Sequence, residues 1–360
     1  MPEPDHDPVI AGSGSGEIRS LNSLRGIAAM IVVVSHFSGV TGWLGEFPAS
    51  GAGQLGVMLF FILSGFLMAY LYLGQPFTAP SLRRYIVARI ARVVPLFAVV
   101  VALSAVLPRI GITGVLYDLP TRAQVLSHVL LLSGKNILWT IPTEMHFYAV
   151  FVVLWAVFQK TSVGLPAIVL LAATGLVATG RFAGTLGEIP YEFRLPQVIP
   201  YFAVGGLLGV IYRKWPQLRR RQHPAFASVL LVVVLLYPRV FEELTGERHQ
   251  LWRDPRVFVV MSIVFAVVLF GVPKESPVLA NKLGDFVGRI SYSLYLLHVP
   301  VMWAVRKLSL PNPIRFVVFL AVATLVATVS YHLLERPAAR AVRRLGEQRS
   351  ELESLRLPSR

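Results

Sequence analysis

The sequence contains no cysteine, and only 15% of its 360 residues are charged. Without cysteine the chain can form neither a disulfide nor a thiolate metal site, and a covalent intermediate would need another nucleophile. The scarcity of charge, beside 55% hydrophobic residues, excludes an ordinary soluble domain and predicts a membrane protein. Acidic residues number 19 against 34 basic ones. The basic residues lie in short clusters between apolar runs, so we expect no nucleic-acid partner.

Long apolar runs follow one another along most of the chain. A helix needs about 20 apolar residues to cross a bilayer, so this length leaves space for about ten crossings joined by short loops. The predicted spans are residues 20–40, 54–73, 86–107, 138–158, 164–180, 195–212, 224–240, 256–272, 284–304 and 314–334. Segment 122–133 is too short to cross and is predicted to be re-entrant or interfacial. The predicted fold is an all-α polytopic bundle of about ten transmembrane helices.

The distribution of Lys and Arg orients the predicted bundle. With the N-terminus inside, the cytoplasmic loops carry more Lys and Arg than the outer loops, as the positive-inside rule requires. Both termini are therefore predicted to be cytoplasmic, and the protein to lie in a bacterial inner membrane. Residues 1–18, rich in Gly, Ser and acidic side chains, are predicted to form a disordered segment. Residues 338–360 are predicted to form a charged cytoplasmic tail.

Few ionisable side chains lie inside the predicted spans. Each costs several kcal/mol of free energy in hydrocarbon, so those that persist usually face the bundle interior and mark a pathway or a reaction site. Arg25 and His36 share one face of the first span, about 16 Å apart along the axis. At 1.5 Å per residue, His36, Glu144 and His298 all lie roughly 20 Å from the cytoplasmic edge. We expect these three groups to meet. The alternatives are that the histidines only donate hydrogen bonds in packing, and that Glu144 only pairs with a neighbouring cation.

Four arginines open the third span at the cytoplasmic face: Arg83, Arg84, Arg89 and Arg92. Guanidinium groups bind phosphates in bidentate fashion, so this cluster could hold an anionic ligand. Coenzyme A standing upright, with its phosphates on the arginines and its reactive end near His36, has the required length. The alternative is that the cluster serves only as the positive-inside signal.

Six stretches, in their order along the chain, resemble the acyltransferase 3 family of integral-membrane acyltransferases. They are RSLNSLRGIAAMIVVVSHF with Arg25 and His36, QLGVMLFFILSGFLMAY with Ser64, ARIARVVPLF with Arg89 and Arg92, LWTIPTEMHFY with Trp139, Glu144 and Tyr148, VGRISYSLYLLHVPV with His298, and YHLLERP. Thr140 and Pro142 depart from the serines usual in the fourth motif. The resemblance covers roughly residues 19–337, which we take as the acyltransferase transmembrane domain.

The resemblance implies an O-acyltransferase that uses cytosolic acyl-CoA, with acetyl as the commonest acyl group in the family. The acceptor would be a hydroxyl of a polysaccharide, glycolipid or glycosylated metabolite, reached from the outer side, and no metal would be needed. We expect no periplasmic hydrolase-like extension of the kind that some family members carry. The membrane domain alone, or a separate partner, would then complete the transfer.

His36 is the candidate general base, and Glu144 is predicted to orient its ring as the acid does in a triad. A covalent acyl-histidine route stays open at this point. The predicted ligand contacts are Arg25, Arg89 and Arg92 for the CoA phosphates, and Trp139, Tyr148, Ser64 and His298 for substrate. The alternative function is a proton-coupled transporter or flippase of a lipid-linked sugar, in which His and Glu would relay protons. Against it, no inverted repeat is evident.

Overall fold

The fold is helical throughout the described part of the chain. The computed structural model describes residues 19–49, 51–160, 194–247 and 250–345. Within these ranges no residue forms a strand. The predicted N-terminal segment, the predicted span 164–180 and residues 346–360 lie outside the described residues.

The described α-helices follow one another through short connections. They are α1 Arg19–Thr41, α2 Gly53–Tyr72, α3 Ala79–Arg109, α4 Arg122–Val129, α5 Thr140–Lys160, α6 Leu195–Lys214, α7 Val232–Leu235, α8 Pro238–Thr245, α9 Pro255–Gly271, α10 Lys282–Val305 and α11 Asn312–Ser330. A π-helical turn, Tyr331–Glu335, prolongs α11, and the chain stays helical to Leu345. Short 3-10 helices precede α5, at Asn136–Trp139, and α7, at Pro224–Leu231.

The helix bounds agree with most of the predicted spans to within a few residues. Within the described residues, six helices are long and apolar enough to cross a membrane, or seven if one bent pair counts as a span. Helix α9 has 17 residues, and α10 carries Ser, Tyr and His side chains that make it more polar than α9 and α11. Ten crossings and cytoplasmic termini stay predictions.

The predicted span 224–240 is not one straight helix. The chain forms a 3-10 helix and the short α7, then bends by 78° into α8. Pro238 is the first residue of α8, and Tyr237 before it has the extended ψ of 130°. Proline disfavours the α conformation in the residue that precedes it, which ends the first helix there. The predicted span is therefore a bent pair of helices, and whether the pair crosses the membrane stays a prediction.

Segment 122–133 is too short to span a bilayer, as predicted. Helix α4 has eight residues, which rise only about 12 Å. Its start is fixed by a capping box, in which the Thr121 side chain accepts from the Gln124 amide and the Gln124 side chain accepts from the Thr121 amide. The segment therefore lies beside the bundle as a surface element.

Helices α1, α2, α6 and α10 form the centre of the bundle. At Gly65 of α2, an added Cβ would lie 2.0 Å from the carbonyl oxygen of Phe202 in α6, so only glycine allows this approach. At Gly288 of α10, a Cβ would lie 2.2 Å from the carbonyl oxygen of Asn22 in α1. Small residues of this kind let helices pack backbone to backbone in a membrane. The side chains of α1 and α10 therefore meet at short range.

A proline near the end of α3 anchors the loop that follows. Pro108 has no N–H, so the carbonyl of Ser104 loses its helical partner. The Leu119 amide donates to that carbonyl at 2.8 Å. The loop after α3 is thereby folded back onto the helix.

A second proline acts in the same way on α10. Pro300 leaves the carbonyl of Leu296 without its helical donor, and the Tyr117 hydroxyl donates to it at 2.7 Å. Tyr117 is 1% exposed. The loop after α3 thus contacts α10 at Leu296, two residues before His298.

Replacement of Tyr117 with Phe should lower the free energy of unfolding by about 1–2 kcal/mol, because a buried carbonyl loses its only replacement donor. Unfolding of the detergent-solubilised protein by a denaturing detergent measures the change. Tyr237→Phe is the control, since the Tyr237 hydroxyl has no hydrogen bond within the described residues. Equal stability of both variants and the wild type would contradict this role of Tyr117.

Candidate active site

Two histidines from neighbouring helices are in direct contact. Nδ1 of His36 in α1 lies 2.8 Å from Nε2 of His298 in α10. His36 is half-buried, whereas His298 is 0% exposed. The structure therefore brings together two of the three groups that were expected to meet.

His36 lines a cavity with a volume of about 450 Å³, which we call the histidine cavity. Its wall combines aromatic rings with amide and guanidinium groups, and its main polar and aromatic residues are Gln54, Asn136, Trp139, Arg194, Trp252 and Trp303. The Arg194 guanidinium lies 4.8 Å from the centre of the Trp139 ring, and the Trp139 and Trp252 rings meet edge to face at 5.9 Å. The predicted substrate residue Trp139 thus lies in the same cavity as His36.

A second cavity carries the three predicted phosphate-binding arginines, so we call it the arginine cavity. Its polar lining residues are Arg25, Ser64, Arg89, Arg92, Thr140, Glu144, Tyr148, Ser291, Tyr292 and Tyr295. They come from five helices, α1, α2, α3, α5 and α10. The arginines of α1 and α3, distant in sequence, therefore face one space.

Arg89 is a buried cation between two aromatic rings. It is 6% exposed, and its guanidinium lies 5.9 Å from the ring centre of Tyr72 and 5.7 Å from that of Tyr148. Its Nε has no hydrogen-bond partner, and no acidic side chain of the described residues forms an ion pair with it. Arg92, half-buried beside it, also has no ion pair in the described part of the chain. Both are suited to an anionic ligand.

Glu144 does not contact His36. Its carboxylate accepts hydrogen bonds from Ser64 at 3.0 Å and from Tyr148 at 2.5 Å, both in the arginine cavity. The depth of a residue fixes its position along the membrane normal but not its lateral neighbours. Helix α5 begins at Thr140, so Glu144 lies one turn inside the helix. The partner that was predicted for His36 is therefore replaced by His298.

The two cavities are adjacent. Trp139 lines the histidine cavity, and the next residue, Thr140, lines the arginine cavity. Between them, the Tyr295 hydroxyl donates to the carbonyl of Ile137 at 3.2 Å. The layer that separates the cavities thus lies at the start of α5, around Thr140.

Several features of the site could not be found from the sequence. Arg194 and Trp252 lie in connections between apolar runs, where no motif distinguishes them. Ser291 accepts from the Arg25 guanidinium at 3.2 Å. His298, predicted to contact substrate, lies behind His36 and lines neither of the two cavities.

The sequence is similar to those of several curated proteins. The exopolysaccharide production protein ExoZ of Rhizobium meliloti is 27% identical over 80% of this chain and 90% of its own. The putative peptidoglycan O-acetyltransferase YrhL of Bacillus subtilis is 24% identical, and the peptidoglycan O-acetyltransferase OatA of Listeria monocytogenes is 22% identical. Each of these two aligns with 89% of this chain but only 54% and 55% of its own length.

No solved structure is significantly similar to the chain. The family model described as an acyltransferase domain matches residues 18–333, which is nearly all of the sequence. The match spans both cavities and every predicted site residue. The chain belongs to the acyltransferase 3 family and is a membrane acyltransferase.

Proposed function

We propose that the protein is an O-acyltransferase that moves an acetyl group from cytosolic acetyl-CoA to a hydroxyl of a carbohydrate-containing acceptor, with His36 as general base. The observation that carries the proposal is a half-buried imidazole in one cavity, back to back with a second cavity lined by three arginines. A two-substrate transfer requires two such compartments that meet at the reacting atoms.

The donor is assigned to the arginine cavity. Arg89 and Arg92 have no ion pair among the described residues, and the buried Nε of Arg89 has no acceptor. A buried guanidinium without an anion is costly, so its presence here favours a phosphate-bearing ligand. Arg25 contributes a third cation from α1. These features fit the phosphates of acetyl-CoA, whose thioester end would then point toward the layer at Thr140.

The acceptor is assigned to the histidine cavity. Its tryptophans, Trp139, Trp252 and Trp303, offer apolar ring faces. Gln54, Asn136 and Arg194 offer polar groups. Apolar faces combined with a few polar groups suit a sugar ring and its hydroxyls. The relatives named for exopolysaccharide production and peptidoglycan O-acetylation support a surface glycan as acceptor.

The topology completes the assignment. We propose ten membrane crossings with both termini in the cytoplasm of a bacterial cell, which places the arginine cavity on the inner side and the histidine cavity on the outer side. Cytosolic acetyl-CoA then reaches Arg89 and Arg92 directly. The acceptor enters from the opposite side of the membrane.

The transfer needs one proton acceptor and one later proton donor. A ring nitrogen of His36 removes the proton of the acceptor hydroxyl, while the hydroxyl oxygen attacks the thioester carbon. When the tetrahedral intermediate collapses, the carbon–sulfur bond breaks, and the imidazolium returns the proton to the thiolate of CoA. The products are the acetyl ester and free CoA, and His36 is neutral again.

Glu144 is assigned to the donor end as a positioning residue. It accepts from the hydroxyls of Ser64 and Tyr148, and the Tyr148 ring lies against Arg89. The carboxylate thereby fixes Tyr148, which supports the guanidinium. Trp139, Tyr148 and Ser64 keep the role of substrate contacts that the sequence suggested, Trp139 for the acceptor and the other two for the donor.

His36→Gln should lower kcat for acetyl transfer by about 100-fold to 10,000-fold, since general-base catalysis supplies a factor of that size. The measurement is transfer of radiolabel from acetyl-CoA to an acceptor extract by the purified protein. His332→Gln is the matched control, because His332 is exposed and lines neither cavity. Full activity of His36→Gln would exclude the base role.

Arg89→Met should raise the KM for acetyl-CoA by about 10-fold to 100-fold, as expected for the loss of one charge-assisted contact. The KM for the acceptor should change little. Arg84→Met on the same helix serves as the control, since Arg84 is exposed and does not line the cavity. An unchanged KM for acetyl-CoA in Arg89→Met would reject the donor site.

Glu144→Gln keeps the shape of the side chain but weakens its hold on Tyr148, because a neutral amide is a poorer acceptor than a carboxylate. We expect a severalfold rise in the KM for acetyl-CoA, with the pH dependence of kcat unchanged. A shift in that pH dependence would show instead that Glu144 acts on His36.

A further inference from the structure

Nδ1 of His298 is hydrogen-bonded to backbone carbonyls. Its Nδ1 lies 2.7 Å from the carbonyl oxygen of Tyr295 and 3.2 Å from that of Leu294. A carbonyl oxygen can only accept, so the proton of a neutral His298 lies on Nδ1. Its Nε2 is then a bare acceptor, and this is the atom 2.8 Å from His36.

The tautomer of His298 determines that of His36. Since Nε2 of His298 accepts, Nδ1 of His36 must carry the proton that it donates. The remaining nitrogen of His36, Nε2, is then unprotonated. The backbone carbonyls of Tyr295 and Leu294 thus determine the protonation of both rings.

The geometry of the two rings suits this hydrogen bond. Their planes differ by 10° and their centres are 5.1 Å apart. Two ring nitrogens at 2.8 Å are closer than the about 3.5 Å of a stacked van der Waals contact, so the rings meet edge to edge. The lone pair of one nitrogen, which lies in the ring plane, therefore points at the N–H of the other.

The surroundings favour a neutral His298. It is 0% exposed, and no acidic side chain of the described residues contacts either ring. Burial without a counterion disfavours a charged imidazole. The neighbouring turn of α10 is held in place by Tyr117 on the Leu296 carbonyl, which keeps the backbone acceptors of His298 fixed.

We propose that His298 is a positioning residue that holds His36 in the tautomer protonated on Nδ1, so that Nε2 is free to take the proton of the acceptor hydroxyl. The inference rests on the proposed function and gives the base a specific atom. After proton uptake, Nδ1–H of His36 still donates to His298, so the imidazolium keeps its partner. His298 touches no substrate in this role.

Three substitutions of His298 separate this role from packing. Gln places an amide oxygen near the position of Nε2, so His298→Gln can still accept from His36. Asn reaches only to the position of Nδ1, so His298→Asn leaves Nδ1 of His36 without an acceptor. Ala removes both positions.

Acetyl transfer by the purified full-length variants, with kcat and the KM for acetyl-CoA measured separately, is the kinetic test. We expect His298→Gln to keep kcat within about 10-fold of the wild type, whereas Asn and Ala lower it by about 100-fold. The KM for acetyl-CoA should stay unchanged in all three. Equal loss in Gln and Asn, or a change confined to KM, would overturn the proposal.

The tautomer itself can be read without substrate. In protein labelled with ¹⁵N-histidine, the His36 ring signals are identified by their loss in His36→Gln. We expect a protonated Nδ1 and an unprotonated Nε2, and a protonated Nε2 would overturn the proposal even if the variants lose activity. This readout is independent of the acyl donor. Failure of acetyl transfer in the wild type would therefore count against the proposed function alone.

Discussion

The close packing of α1 against α10 is the constraint on which the rest of the site depends. Gly288 lets the two backbones touch. Along this helix pair, His36 lies within hydrogen-bond distance of His298. Nearer the start of both helices, Arg25 lies within hydrogen-bond distance of Ser291. Polar groups in a membrane interior must find partners inside the protein. One helix pair thus supplies both the proton-transfer group of the outer cavity and a cation of the inner one.

Prolines and glycines have complementary effects in this bundle. Glycines remove side chains where backbones must touch, and prolines remove donors where a carbonyl must bind elsewhere. The carbonyl freed by Pro300 is taken by Tyr117, so the loop after α3 helps to fix α10. In the broken segment after α6, Pro238 instead ends one helix and starts another at a different angle. The same residue type therefore stabilises one element and interrupts the other.

The sequence predicted what depends on position along a helix, and not what depends on neighbours across the bundle. Apolar runs indicated most helices within a few residues, and the eleven-residue spacing placed Arg25 and His36 in different layers of one face. Glu144 and His36 were predicted to lie at the same depth in the membrane. Lateral packing instead pairs Glu144 with Ser64 and Tyr148. Arg194 lies in a connection without any motif, so only the folded chain reveals it.

We propose that acetyl-CoA and the acceptor occupy adjacent cavities, with His36 on the acceptor side of the layer at Thr140. An electron cryomicroscopy map of the protein bound to a non-hydrolysable acetyl-CoA analogue tests it most directly. We expect phosphate density against Arg25, Arg89 and Arg92, and the acyl carbon within reach of Nε2 of His36. Phosphates bound elsewhere, or an acyl end that stays away from His36, would contradict it.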